Sequence, residues 1–338
     1  MNLVKKLIIV AGILVIVVTG FLFYFRSQIY TSHGSATTDK IFEIVKGEGN
    51  AVIGQNLETA GLISGKWYFY YYIRTHGMLN KFLPGKYMLN GTMTIPEIVV
   101  VLTQQKNEFI KITFPEGWTM NQMADRLTAN GFPGKEFLAV AKQPPVELVQ
   151  KFDFLTELPK NQNLEGFLFP DTYFFSKEAT GNGIAQKMLN NFGEKVTPEL
   201  RQEILKQKKN IFQIVTMASI IEGEVRTEAD RKIVSGLFWD RIGNNQRLQS
   251  CATIAFVLGE KKKQYSFDDT RTPSPYNTYL NNGLIPGPIS NPGLVSIRAA
   301  VYPAVSGYQY FLSDPETGQT IFSKTIEEHN ANKVKYGL

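Results

Sequence analysis

The chain has 338 residues, long enough for two or three domains that each bury a core of their own. Hydrophobic residues make up 43% and charged residues 20%, the balance of a folded protein and not of a disordered one. The net charge of +6 is spread along the chain, Lys261-Lys262-Lys263 being its densest run; no basic stripe with interleaved aromatics calls for nucleic acid, whereas weak attraction to anionic lipid or wall polymer fits.

Cys251 is the single cysteine, so no internal disulfide can form, and none follows the N-terminal apolar run, which excludes lipidation there. The histidines, His33, His76 and His329, are far apart, and no metal-ligand spacing occurs. No metal and no cofactor is expected.

Leu7 to Phe25 is an uncharged run of about 19 residues, matching the length that crosses a bilayer as a helix. Lys5 and Lys6 precede it and Arg26 follows. The positive-inside rule then puts residues 1–6 in the cytoplasm and everything after the span outside it. A cleaved signal peptide is the alternative, but its apolar core would be shorter and a small-residue cleavage site would follow. The predicted layout is a single-pass cell-membrane protein: tail 1–6, span 7–25, and a polar linker 26–39.

Ile41 to Val45 reads as a strand, Gly47-Glu48-Gly49 as a turn, and Ile53, Leu57 and Ala60 as a helix stopped by Gly61. The pattern returns about seventy residues on. Phe109 to Phe114 is a strand, Glu116-Gly117 a turn, and Met123 and Leu127 a helix before Asn130-Gly131. Leu83-Pro84-Gly85-Lys86-Tyr87 is echoed by Phe169-Pro170-Asp171-Thr172-Tyr173, each followed by a helix. Two related α+β modules, 40–105 and 106–192, are inferred, against chance likeness of two common β-turn-α units. The aromatic run Trp67 to Ile73 suits a core helix better than a sugar-stacking face.

Thr197 is a good N-cap and Pro198 a good first helical residue, which places the last domain at 193–338. Ile211 to Glu224 reads as a buried helix that runs into acid at Glu222, Glu224 and Glu228. Glu222 follows Ile220-Ile221, the apolar setting that suits a general acid. Arg226, four residues on, offers an ordinary ion pair instead. Glu224 is about 200° round the helix from Glu222 and must face elsewhere.

Ala218-Ser219-Ile220-Ile221-Glu222-Gly223-Glu224 resembles the signature of the MltG (YceG-like) family of endolytic murein transglycosylases. Further matches follow in order: Arg247 to Ser250, Thr272 to Tyr279, Gly283 to Ile289, Asn291 to Gly293, Tyr310-Phe311 and Glu328 to Asn330. Leu164-Glu165-Gly166 and Phe169 to Tyr173 match upstream. The resemblance covers essentially everything after the span. It implies a LysM-like module followed by a mixed α+β catalytic domain. It also implies cleavage of the MurNAc–GlcNAc β-1,4 bond without water to give 1,6-anhydroMurNAc ends, terminating nascent strands. Glu222 falls on the catalytic position. Ser219, Glu165, Gln249, Tyr276, Asn277, Thr278 and Tyr279 are candidate substrate contacts, since amides and hydroxyls bond sugars and Tyr faces stack on rings. Asn277 also reads as a turn residue after Pro275, and His329 as structural. Leu284 to Gly293 is expected to form a rigid loop lining the cleft. Glycan strands, the cytoplasmic membrane and peptidoglycan synthases are the implied partners. The chain departs from the family at Cys251-Ala252, where Asp-Pro is usual. The rival readings are a non-enzymatic wall-binding protein and a lysozyme-type hydrolase; no G-x-S-x-G supports a serine nucleophile.

Overall fold

A computed structural model describes residues 3–33, 40–103, 109–160, 162–262, 264–314 and 316–338, with 3–10 as backbone alone. The chain divides into two compact units, Met1–Phe109 and Ile110–Leu338. The fold is mixed α+β.

The first unit opens with α1 (Leu3–Tyr30), long and apolar enough to cross a membrane, its span among the described residues being Ala11–Tyr30. The helix continues past Phe25 through Ser27 to Tyr30, where the sequence suggested a linker. Ile29 is buried in the unit's core, and the Ser27 hydroxyl bonds the Tyr24 carbonyl, so this turn is held by packing that polarity alone does not reveal. The later linker residues, 34–39, lie outside the described residues. Then come β1 (Lys40–Ile44), α2 (Asn50–Thr59), α3 (Lys66–Thr75), β2 (Gly85–Leu89) and α4 (Ile95–Thr103). β1 and β2 pair antiparallel with Phe42 opposite Tyr87. Alternate residues Phe42, Ile44, Tyr87 and Leu89 turn inward, as a pleated strand requires, onto Ile53, Leu57, Phe69, Ile73 and Leu102 of the helices. The aromatic run is helical, but only Phe69 and Ile73 of α3 enter the core; Trp67, Tyr70 and Tyr71 are exposed.

β3 (Phe109–Thr113) starts at the division, and α5 (Met120–Ala129), α6 (Gly134–Lys142), α7 (Val146–Gln150), β4 (Thr172–Ser176) and α8 (Gly181–Lys195) follow in the second unit. β3 pairs with β4. The first segment runs strand, two helices, strand, helix, and the second strand, three helices, strand, helix. Gly47 and Gly117 sit at positive φ in the first turn of each segment, and Gly61 and Gly131 at positive φ after the first helix, a conformation that glycine adopts without penalty. The Tyr87 and Tyr173 hydroxyls each donate to the carbonyl four residues back, at Leu83 and Phe169.

There follow α9 (Pro198–Lys206), α10 (Ile211–Glu224), α11 (Glu228–Gly243), α12 (Cys251–Leu258), α13 (Phe267–Thr270), α14 (Leu294–Val301), the β5 (Tyr310–Ser313) and β6 (Thr320–Ser323) hairpin, and α15 (Ile326–Lys335). Thr197 caps α9 as expected. That cap marks the start of a helix inside the unit: one core runs from Ile112 to Val301 and takes in Leu189, Phe192, Leu200, Ile204 and Ile214 across the 192/193 division. Residues 110–192 and 193–338 therefore share a single core.

Candidate active site

The Asn210 side chain accepts from the Gln213 amide while the Gln213 side chain accepts from Asn210, a capping box that fixes the start of α10. Every residue from Ile214 to Ile221 is buried, so the helix is the central strut of the unit. It stops at Glu224, and Val225 is extended at φ −138°. Glu222 lies in the last turn, its side chain only 7% exposed.

The Glu222–Arg226 pair does not form. The helix ends before Arg226, so the i,i+4 register is lost, and Arg226 is exposed. Arg231 of α11 takes its place: its Nη2 donates to Glu222 Oε1 at 2.7 Å and its Nε to the Val225 carbonyl at 3.3 Å. The Gly293 amide, at the start of α14, donates to Glu222 Oε2 at 3.1 Å. Both carboxylate oxygens therefore have a donor.

A second carboxylate stands beside them. Glu116, in the turn between β3 and α5, comes within 4.0 Å of Arg231 Nη1 and is 46% exposed, so the site is open on its side. Partial burial and the neighbouring Glu222 charge hold Glu116 above the ordinary carboxylate range, with Arg231 opposing them. Two glycines let these groups close up. A Cβ on Gly293 would collide with the Glu116 carboxylate, and one on Gly117 would lie 3.3 Å from Glu222 Cγ.

Asn291 fixes the frame. Its Oδ1 accepts from the Gly166 and Leu168 amides, and its Nδ2 donates to the Trp118 carbonyl and to Glu165. Its backbone pairs with Gly117 and Trp118. One buried amide thus ties the Glu116 turn, the Gly166 turn and the approach to Gly293 together. Glu165 accepts from the Met120 amide at the start of α5 through both oxygens; burial pushes its carboxyl up to about 8 against these hydrogen bonds. The 284–293 loop is irregular and pinned at depth: Ser219 donates to the Thr216 carbonyl and accepts from the Ile289 amide.

The candidate substrate residues divide. Ser219, Glu165, Asn277 and Thr278 are buried, with their polar atoms used inside the protein. Asn277 is the turn residue, holding the Thr270 and Thr272 carbonyls and the Tyr279 amide. Thr278 accepts from the Ser250 amide and bonds Thr253. Gln249, Tyr276 and Tyr279 keep exposure. Gln249 has φ +52°, a left-handed conformation uncommon for a side-chain-bearing residue. The Tyr279 hydroxyl meets the Cys251 thiol at 3.4 Å. Gln249, Thr278 and Tyr279 gather about Ser250, whose hydroxyl donates to Glu224; the Ala252 amide also donates to Glu224, at 2.9 Å. Glu224 thus faces α12 while Glu222 faces α11 and α14, as their angular separation requires; burial raises Glu224, and these donors oppose it. His329 stacks on Tyr310, its imidazole held below the usual range by burial.

Glu116, Arg231 and the Gly293 amide were not anticipated from the sequence. Arg231 had a legible signal: with Val234, Ser235 and Phe238 it lies on the buried stripe of α11, where an arginine needs a partner. Glu116 occupies the position that Lys46 holds in the first copy of the repeat, so the turn itself does not require it. Among the described residues, no group of three or more His, Cys, Asp or Glu is placed to hold a metal ion.

The YceG-like family matches residues 42–335. An endolytic murein transglycosylase of Bacillus subtilis is 32% identical over 331 residues, 95% of this chain and 91% of that protein. One from Streptococcus pneumoniae is 28% identical over 87% of this chain and 57% of its own length. A crystal structure of a yceG-like protein from Listeria monocytogenes is 34% identical, with a TM-score of 0.59, over 88% of this chain and 99% of that one.

Proposed function

The chain belongs to the YceG-like family, and from that premise we infer that it is an endolytic murein transglycosylase, an enzyme that cuts within the glycan strands of peptidoglycan. The observation that carries the assignment of chemistry to residues is the closure of Arg231, Gly293 and Glu116 around Glu222.

Glu222 is the acid–base residue. It protonates the oxygen that leaves C1 of MurNAc, and the bond to GlcNAc breaks. As carboxylate it then takes the proton of the MurNAc C6 hydroxyl, whose oxygen closes the 1,6-anhydro ring on C1. No water enters, and the nucleophile belongs to the substrate, so the two-carboxylate spacing of hydrolases is not required. The observed donors, Arg231 Nη2 and the Gly293 amide, serve the carboxylate form that performs the second step. When Glu222 carries its proton, Arg231 needs another anion, and Glu116 is placed to supply one.

Around this centre, Gln249, Tyr276 and Tyr279 are proposed to contact sugar, Gln249 being exposed and the two tyrosines half-buried while the rest of the candidate set is buried. Residues 40–105 are proposed as the LysM-like glycan-holding module; the β-α-α-β order with antiparallel strands supports it. α1 is proposed as an uncleaved anchor with its N-terminus in the cytoplasm, on the strength of Lys5 and Lys6 before the apolar run. Peptidoglycan synthases are proposed partners on the family resemblance alone.

Glu222→Gln tests the central residue. It keeps the shape of the side chain and removes the titrating proton. The variant is expected to unfold at nearly the wild-type temperature and to sediment with wall glycan while losing cleavage. Wild-type cleavage by that variant would remove Glu222 from the mechanism.

A further inference from the structure

The exposed face of α3 has no role in the site above. Trp67, Tyr70, Tyr71 and Arg74 fall at i, i+3, i+4 and i+7 and form one solvent-facing stripe, while Phe69 and Ile73 occupy the core side. Trp67 is 73% exposed. Soluble proteins scatter exposed apolar residues singly; a contiguous aromatic stripe marks a surface that meets something.

The neighbouring flank of the same helix rests on α1. The Phe25 ring lies edge-on to both Tyr68 and Tyr71, with centroids 5.0 Å apart in each case. Tyr30 meets Tyr72 at 6.2 Å, and Ile29 is buried beneath them. Phe25 is the last residue of the uncharged run, and Arg26 follows it. Helical rise carries such a run about 28 Å, nearly the ~30 Å thickness of the hydrocarbon core. Phe25 therefore marks the hydrocarbon boundary on the far side of the bilayer from Lys5 and Lys6. Tyr71, in contact with it, stands at the same level. Trp67 is one helical turn, about 6 Å, from Tyr71 along the stripe, a distance comparable to the depth of the headgroup layer.

We propose that Trp67, Tyr70, Tyr71 and Arg74 of α3 form a membrane-surface face that seats the first unit in the lipid headgroup layer beside its own anchor. The chemistry is matched. Indole and phenol rings are apolar bodies with a polar edge and collect at this depth, and Arg74 supplies a guanidinium for lipid phosphate. A glycan strand would also stack on these rings, but the continuity of the stripe with the end of the span favours lipid. The proposal rests on α1 being in the bilayer.

The test is tryptophan quenching in the full chain, reconstituted into phosphatidylcholine vesicles whose acyl chains are brominated either near the headgroup or near the bilayer centre. Subtracting the emission of Trp67→Phe isolates Trp67 from the two other tryptophans, Trp118 and Trp239. Most of the Trp67 emission should be lost with the shallow bromines and little with the deep ones. Trp67 emission indifferent to both, or shifted only by added glycan strands, overturns the proposal. Phe21→Trp, a tryptophan inside the span, separates the two causes of failure. If it is quenched by deep bromines, the anchor stands and the α3 face alone is wrong. If it is not, the anchor reading fails and the proposal falls with it.

Discussion

Two groups of carboxylates in this protein do different work, and their surroundings decide which. Glu222 has an arginine and a backbone amide, one for each oxygen, with a half-exposed carboxylate across the arginine. Glu165 is nine-tenths buried and faces only neutral donors. Its pH behaviour follows from burial. The folded carboxyl keeps its proton up to about pH 8, whereas the unfolded one releases it near the ordinary 4.5. A raised folded value gives a contribution that is fully present below the unfolded value and lost as pH rises through the folded one. Stability should therefore fall between about pH 5 and 8, by an amount on the order of a few kcal/mol from this group. Glu165→Gln should flatten that slope in thermal unfolding, and an unchanged slope would remove Glu165 as its cause. Glu116 makes a kinetic prediction. Glu116 stands within 4.0 Å of Arg231, the donor to Glu222, and is the anion left to that guanidinium when Glu222 carries its proton. Glu116→Gln should slow cleavage several-fold or more while thermal unfolding stays near the wild-type temperature. Wild-type cleavage by that variant would remove Glu116 from the mechanism.

At the scale of elements, much was legible where the cause is local. Both ends of α10 were read as they occur, because Asn210 caps it and its apolar spacing runs unbroken to Glu222. The turns at Gly47, Gly61, Gly117 and Gly131 were legible because each sits at positive φ, where glycine is the residue that fits without strain. Arg231 was not paired correctly, since a sequence-local rule offered Arg226 and only the tertiary fold brings α11 back across the end of α10. Ser219, Glu165, Asn277 and Thr278 of the substrate set are buried with their polar atoms bonded internally, a placement that residue type does not reveal because it suits sugar and internal turns alike. Cys251-Ala252 acquires a concrete meaning. Where the family usually has proline, Ala252 supplies an N–H to Glu224 that proline lacks. The 284–293 loop ends on Gly293, where there is no room for a Cβ beside Glu116. Gly293→Ala should therefore displace both the Glu116 side chain and the amide on Glu222. Cleavage is expected to fall about tenfold or more with the circular dichroism unchanged. Wild-type rates in that variant would mean that the amide contact is dispensable.

Across the whole molecule, the sequence spoke clearly about class and less clearly about division. An apolar helix followed by mixed α+β structure was legible from charge-free length and hydrophobic period. The single core of residues 110–338 was not, because a strong N-cap at Thr197 looks the same whether it starts a domain or continues one. That shared core is what lets a turn of the second repeat place Glu116 against helices from the C-terminal half. The full chain, incubated with uncrosslinked glycan strands and followed by mass spectrometry of the new ends, tests the chemistry most directly. Anhydro ends, present with the wild type and absent with Glu222→Gln, are the predicted result. New ends heavier by one water would contradict ring closure and make the enzyme a hydrolase.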